Sequence, residues 1–164
     1  MSISETFQVT LPSDTEILIT RDFSAPRKAV WAAHTQPELM KRWLTGPPGW
    51  KMTRCDVDMR PGGSAHYEWQ GADGMSFGLR QAIREFVAPS RFVSEERFDM
   101  GEGVPMPVQY VTTEFTESGG RTHMKMTLRY DDKTARDGAL ASGMDQGMAM
   151  SYDSLDALLS GAGA

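Results

Sequence analysis

Apolar and polar residues alternate along the first regular segment of the chain, Glu16 to Phe23. A period of two is typical of a strand with one buried face. Two stretches with apolar residues at helical spacing follow, one marked by Val30, Trp31 and Ala33 and the other by Leu39, Met40, Trp43 and Leu44. Since Gly46 to Gly49 then interrupts the pattern, we predict one strand followed by two short helices.

From Lys51 to Tyr130 the apolar pattern returns to a period of two. Turn residues divide this region into about six segments, the last of which is Arg121 to Tyr130. Consecutive short segments of this kind predict antiparallel strands joined by hairpins. In the first hairpin the apolar residues share a face if Met59 lies opposite Ala65, which also places Asp58 across from His66 on the outer face. With the opening strand, this gives a sheet of about seven strands.

The last regular segment, Lys133 to Ser160, predicts one long helix with Leu140, Met144, Met148, Leu155 and Leu159 on one face. Gly143 and Gly147 interrupt that face at helical spacing. Because a glycine within a helix costs about 1 kcal/mol relative to alanine, we expect the sheet or a ligand to come close to the helix at both positions.

Charge and composition narrow the classes of partner. The formal net charge is −5, and its acidic and basic residues are scattered along the chain. Such a surface disfavours nucleic acid and anionic membranes. No run approaches the roughly 18 apolar residues of a membrane span, and residues 1–14 lack the pattern of a secretory signal. We therefore expect a cytoplasmic protein that neither binds nucleic acid nor inserts into a membrane.

Three separated motifs resemble those of a known family, the domain related to the activator of the heat-shock-protein-90 ATPase. The first motif comprises Ile19-Thr20-Arg21, Ala25-Pro26, Val30-Trp31, Thr35, Pro37-Glu38, Trp43 and Gly46-Pro47. The second is the segment from Asp58 to Gly63. The third comprises Ser142-Gly143-Met144, Gly147, Ser151 and Ser154-Leu155-Asp156. The resemblance extends from about Glu16 to Leu159.

The resemblance implies an α+β START-like (SRPBCC) helix-grip fold. In this fold a curved antiparallel sheet, here of about seven strands, wraps around a long C-terminal helix and encloses a hydrophobic cavity. We expect residues 15–164 to form this single domain and residues 1–14 to be flexible. No single activity follows, because the superfamily includes lipid carriers, hormone receptors, polyketide cyclases and cochaperones.

Most polar candidates favour structural roles. Asp56 and Asp58 share a strand face that should be the outer one, where charge pairs with neighbouring strands are common. The three histidines are His34, His66 and His123, and they lack the spacing of a helical metal site, so we interpret them as surface residues and expect no metal or cofactor. Cys55 is the single cysteine and should face inward as an inert thiol.

Aromatic residues and methionines form the candidate ligand site. Two interpretations are open, core filling and the lining of an apolar pocket with a few polar groups, and the resemblance favours the second. The residues that we expect to bind ligand are Trp43, Trp50, Tyr67, Trp69, Phe77, Met124, Met126, Met144, Gly147, Met148 and Tyr152.

Glu96 is the one candidate for acid chemistry. If it points inward with Phe92 and Phe98 it is a buried acid, and if the strand ends there it reaches solvent. We therefore expect a binding module for an apolar or amphipathic small molecule rather than an enzyme, with the two short helices and the Gly46 to Gly49 loop as its gate. The alternatives are a cochaperone-like regulator that contacts a chaperone ATPase and a polyketide cyclase or dehydratase that uses the same cavity.

Overall fold

Within the part of the chain that the structure describes, residues 2–160, eight antiparallel strands form one sheet. The structure is a computed structural model. The strands are β1 (Gln8–Thr10), β2 (Glu16–Phe23), β3 (Lys51–Val57), β4 (Ser64–Gln70), β5 (Ser76–Val87), β6 (Arg91–Asp99), β7 (Gln109–Ser118) and β8 (Arg121–Tyr130), in the order β1-β2-β8-β7-β6-β5-β4-β3. Met1 and residues 161–164 of the predicted domain lie outside the described residues.

One strand more than the predicted number comes from the N-terminal segment. A short 3-10 turn, Ile3–Thr6, precedes β1, and Val9 of β1 pairs with Ile19 of β2. The segment expected to be flexible therefore contributes an edge strand. Its signal in the sequence is weak because β1 has only three residues, which is too short for a period to be read.

Four helices accompany the sheet within residues 2–160: α1 (Arg27–Thr35), α2 (Pro37–Trp43), α3 (Lys133–Ala141) and α4 (Met144–Leu159). None of them is long and apolar enough to cross a lipid bilayer. The prediction of one continuous helix from Lys133 to Ser160 is wrong. The helix breaks at Gly143, whose φ of +80° lies in the left-handed region that favours glycine.

The second helix glycine has a different environment from the one predicted. Gly147 lies within α4, and a Cβ atom built on it would meet no atom within 4 Å. A Cβ built on Gly143 would meet one side-chain oxygen, that of Gln146, at 3.9 Å. The predicted close approach of the sheet at these glycines is therefore wrong. Gly143 is required by its backbone angle, and nothing within the described residues requires glycine at position 147.

The helices pack on one face of the sheet, which we call the inner face. α1 contacts β7 and β8, α2 contacts β3 and α4, and α3 contacts β8. The alternating apolar residues of β2, β7 and β8 form the centre of this core together with Leu155 of α4. The fold is the START-like helix grip that the resemblance implies, with the C-terminal helix interrupted.

The first hairpin differs from the predicted register by two residues. Val57 pairs with Ala65, and Asp56 pairs with His66. The expected pairs of Met59 with Ala65 and of Asp58 with His66 are therefore wrong. The apolar residues of β3 and those of β4 still share a face. Register pairing ends at Val57 and Ala65, and in the turn that follows a Cβ on Gly63 would clash with the Asp58 carbonyl oxygen.

A buried arginine in β2 attaches the C-terminal helix to the sheet. Arg21 is 1% exposed, and its Nη2 donates a hydrogen bond of 2.7 Å to Asp153 Oδ1 of α4. Its Nη1 lies 3.9 Å from Asp156 Oδ1, and its guanidinium lies 4.8 Å from the Phe23 ring centroid. Arg21, which belongs to the first family-like motif, therefore has a structural role.

Candidate functional site

The residues predicted to bind ligand fall into two groups on the inner face. We call the first the helix-side cluster, which consists of Trp43, Met124, Met126, Met144, Met148 and Tyr152. The second is the strand-side cluster, which consists of Trp50, Tyr67, Trp69 and Phe77. Gly147 lies on α4 beside Met148. The structure therefore brings together the members of each group but separates the groups into two packed regions.

The helix-side cluster joins α2, α4 and β8. Trp43 stacks on Tyr152 with ring centroids 5.8 Å apart, and the Trp43 indole N–H donates a hydrogen bond of 2.9 Å to the Ala33 carbonyl. The ring contact packs α2 against α4, and the hydrogen bond joins α2 to α1. Met144 and Met148 are only partly buried, which leaves two flexible side chains at the start of α4.

The strand-side cluster is a run of stacked rings across β4 and β5. Trp69 stacks on Tyr67 and Phe77 at centroid distances of 6.0 and 5.0 Å, and Trp50 packs edge-on against Phe77 at 5.3 Å. The Trp69 indole N–H donates a hydrogen bond of 2.7 Å to the Leu44 carbonyl. The end of α2 and the loop that follows it are thereby held over this cluster.

Glu96 lies between the two clusters and is buried, so the inward interpretation of this residue is confirmed. It pairs in register with Gln81 of β5 and Gln109 of β7, and Gln109 pairs with Tyr130 of β8. All four side chains are buried, as is that of Ser94. A row of polar residues therefore crosses four adjacent strands on a face that is otherwise apolar.

Two chains of hydrogen bonds end at the Glu96 carboxylate. In the first, the Tyr67 hydroxyl donates to Gln81 Oε1 at 3.2 Å, and Gln81 Nε2 donates to Glu96 Oε2 at 2.8 Å. In the second, the Tyr130 hydroxyl donates to Gln109 Oε1 at 2.8 Å, and Gln109 Nε2 donates to Glu96 Oε1 at 3.4 Å. We call these groups, with Ser94, the Glu96 network.

Burial and the hydrogen bond from Ser94 have opposite effects on the pKa of Glu96. The Ser94 hydroxyl donates a hydrogen bond of 2.7 Å to Glu96 Oε2. Burial raises the pKa of Glu96 above its ordinary value, and the three hydrogen bonds oppose that shift because they stabilise the carboxylate. Burial also raises the pKa of Tyr130 to about 12 and that of Tyr67 further, so both phenols are neutral at physiological pH.

The Glu96 network connects the two apolar clusters. Tyr67 belongs to the strand-side cluster, and the Tyr130 hydroxyl lies 3.8 Å from the Met144 sulfur of the helix-side cluster. The inner face therefore has a polar centre with aromatic rings on one side and methionines on the other. This is the composition of a small-molecule site, in which a few polar groups orient a largely apolar ligand.

His34 is buried, so its interpretation as a surface residue is wrong. Its Nδ1 lies 2.8 Å from the Val30 carbonyl oxygen, and its Nε2 is buried without a hydrogen-bond partner. Burial lowers the pKa of His34 to about 4. This burial is hard to predict from the sequence, because α1 has only nine residues and His34 lies in its last turn.

The remaining polar candidates lie apart from the network. His123 is half-exposed and lies 2.6 Å from Asp22. Cys55 is partly buried against the strand-side cluster, and burial raises the pKa of its thiol, as expected for an inert cysteine. Across residues 2–160 no three His, Cys, Asp or Glu side chains are grouped so that they could hold a metal ion.

The outer face of the sheet carries an open groove of about 670 Å³. Its walls include the outward side chains of one cross-strand row, Asp56, His66, Arg80 and Arg97, together with Asp58 and Glu95. The expectation that Asp56 faces outward is confirmed, whereas Asp58 lies exposed in the turn after β3. None of the eleven residues predicted to bind ligand lines this groove.

Sequence reasoning missed four members of the Glu96 network, which are Gln81, Ser94, Gln109 and Tyr130. Each occupies a position where the alternation of its strand requires an inward side chain, for example Gln81 between Leu79 and Ile83. A polar residue at an inward strand position is therefore the signal that could have found them. Arg21, between Ile19 and Phe23, has the same signal but proves to be structural.

Comparison with known proteins agrees with this fold. The family model for Activator of Hsp90 ATPase homolog 1-like protein matches residues 24–160. A crystal structure of a protein from Rhodobacter sphaeroides has 31% identity and a TM-score of 0.86, covering 95% of this chain and 99% of that one. A protein from Mycobacterium smegmatis has 29% identity and a TM-score of 0.82, with coverages of 93% and 95%. No protein with a curated functional description matches the chain.

Proposed function

Because the chain belongs to the family of Activator of Hsp90 ATPase homolog 1-like proteins, whose fold it shares, we propose that it binds an apolar or amphipathic small molecule between its sheet and its C-terminal helices, in the cytoplasm. The Glu96 network is the observation that carries the proposal. A buried polar network stabilises a fold little compared with apolar side chains of similar volume. Its position at the centre of the inner face supports a role in binding the polar part of a ligand.

The methionines supply the adaptable part of the proposed site. Met144 and Met148 are partly buried at the start of α4, directly after the break at Gly143. Methionine side chains repack easily around ligands of different shape. The proposed site thus combines rigid aromatic rings of the strand-side cluster with flexible thioethers of the helix-side cluster, and we assign its lining to the eleven predicted residues.

Titration with Nile red, a neutral apolar fluorophore, tests this proposal. We expect saturable binding to the native protein and binding at least about tenfold weaker for Met148→Trp, whose larger side chain fills part of the site. Met150→Trp is the matched control because Met150 lies on the same helix and is 47% exposed. Equal affinities of the two folded variants, or no saturable binding by the native protein, would contradict the proposal.

Acid catalysis at the same site is the second candidate function. It is favoured by the burial of Glu96 on the inner face, because burial raises the pKa of its carboxyl group, which is the direction that general acid catalysis requires. This would be the chemistry of a polyketide cyclase or dehydratase. Glu96→Gln should then abolish turnover of a polyketide substrate while leaving its binding intact, and unchanged turnover would remove Glu96 from the chemistry.

A chaperone ATPase as partner is supported by the family name alone. This alternative predicts that the purified protein binds a chaperone of the heat-shock-protein-90 class and alters its rate of ATP hydrolysis. A pull-down without retention, together with an unchanged ATPase rate, would exclude it.

A further inference from the structure

Most hydrogen bonds of the Glu96 network are donated towards Glu96, directly or through a glutamine. Both tyrosine hydroxyls donate to glutamine carbonyl oxygens, and both glutamine amides donate to Glu96. Ser94 donates to Glu96 as well. Because these donors converge on one carboxyl group, that carboxyl group is the main acceptor that the network offers to a ligand.

The two oxygens of Glu96 are not equally satisfied. Oε2 accepts two short hydrogen bonds, of 2.7 Å from Ser94 and 2.8 Å from Gln81. Oε1 accepts a single long one, of 3.4 Å from Gln109. A carboxylate oxygen can accept about two hydrogen bonds, and a bond of 3.4 Å is weak. Oε1 therefore has the larger unused capacity to bind a donor.

The buried cations of the described chain do not neutralise this carboxyl group. Arg21 is bound by Asp153 and lies near Asp156, and Arg136 is bound by Asp137 and the Ser13 carbonyl oxygen. Among the described ion pairs Glu96 has no partner. A ligand carboxylate at this point would meet a buried acid with no counter-charge, which is costly in a low-dielectric interior.

We infer that the ligand has a hydrogen-bond-donating head, an amine or a hydroxyl group, that binds Oε1 of Glu96, and that the site discriminates against carboxylates. This inference rests on the proposed function, since it specifies the polar end of the same ligand. An ammonium group satisfies the site best, because it supplies N–H donors for Glu96 and also the positive charge that the site lacks. The apolar part of the ligand then lies against the aromatic rings and methionines.

Three ligands with the same alkyl chain, octylamine, 1-octanol and octanoate, test the inference by isothermal titration calorimetry at neutral pH. We expect octylamine to bind at least about tenfold more tightly than octanoate, a difference of about 1.4 kcal/mol, with 1-octanol between them. In Glu96→Gln the amine preference should fall below about threefold. Glu95→Gln is the matched control, because Glu95 is the neighbouring residue and bonds Arg84 on the outer face, and it should retain the full preference.

The outcomes separate this inference from the proposed function. Octanoate binding as tightly as octylamine to the native protein, or an unchanged amine preference in Glu96→Gln, overturns the inference while leaving a ligand site in place. If neither Nile red nor any of the three ligands binds, the proposed function fails and the inference fails with it. The order of affinities in the native protein decides the question even if Glu96→Gln does not fold.

Discussion

The backbone N–H of Ser24 donates a hydrogen bond of 2.8 Å to Asp156 Oδ1, which joins the end of β2 to α4. The same carboxylate oxygen lies 3.9 Å from Arg21 Nη1. Since Asp156 is largely buried and Arg21 almost completely so, this contact joins residues that are distant in sequence within a region of low dielectric. The contacts of Asp156 therefore fix the position of α4 across the inner face, and with it the position of the proposed site.

Replacement of Arg21 should therefore destabilise the fold. Arg21→Met keeps an apolar stem of similar length but removes the partner of two carboxylates, and we expect a loss of about 2 to 3 kcal/mol in the free energy of unfolding by urea. The control is Asp153→Asn. Because the Asp153 side chain is 55% exposed, this change should cost less than about 1 kcal/mol. Equal costs for the two variants would contradict the role assigned to Arg21.

The two helix glycines should respond in opposite directions to alanine. Gly143→Ala places a side chain at a φ of +80° and should destabilise the protein by about 1 kcal/mol. Gly147→Ala adds a methyl group in open space within a regular helix and should stabilise the protein by up to about 1 kcal/mol. Thermal and urea unfolding measure both effects. Destabilisation by Gly147→Ala would indicate a close contact that the structure does not contain.

His34 should make the fold sensitive to acid. Its pKa in the folded state is about 4, below the ordinary value of about 6.5, so the unfolded chain binds more protons between these values. The stability associated with neutral His34 is complete above about pH 6.5 and is lost as the pH falls towards 4. Between about pH 7 and about pH 5 we expect a loss of about 2 kcal/mol, measured by urea unfolding, that is absent in His34→Phe. Parallel pH profiles of the two proteins would contradict this.

Glu96 should contribute a pH dependence of the opposite sign. Because burial raises its pKa in the folded state, the folded protein binds more protons than the unfolded chain above the ordinary glutamate pKa of about 4.3. The stability of the native protein relative to Glu96→Gln should therefore fall as the pH rises from that value. The profile of Glu95→Gln should have the reverse sign, since the hydrogen bond from Arg84 lowers the pKa of Glu95. Two profiles with the same sign would contradict the burial of Glu96.

Alternation along the strands made much of the fold predictable from the sequence. The bounds of β2 and β8 agree with the predicted segments because both strands have one buried face and end at polar or turn residues. The family-like motifs predict that the helices cover the buried face of the sheet. The register of the first hairpin was not predictable, because a shift of two residues preserves the facing of every side chain.

The break at Gly143 and the Glu96 network depend on contacts that a local pattern does not contain. A glycine at helical spacing fits a continuous helix as well as a left-handed break, and only the path of α3 and α4 distinguishes the two. The eleven ligand candidates are apolar or aromatic residues and one glycine. They include members of both clusters but not Gln81 and Gln109, because polar residues at inward positions run against the rule by which strand faces are assigned.

If a ligand binds between the sheet and the helices, the methionine methyl groups report on it most directly. Methyl-labelled protein would be titrated with 1-octanol and followed by carbon-13 NMR. Met126, Met144 and Met148 lie in the helix-side cluster, whereas Met75 and Met100 are exposed, at 62% and 46%. We predict saturable shifts of the first three signals and little change in the other two. Shifts confined to the exposed methionines, or no saturable shifts at all, would contradict the proposed ligand site.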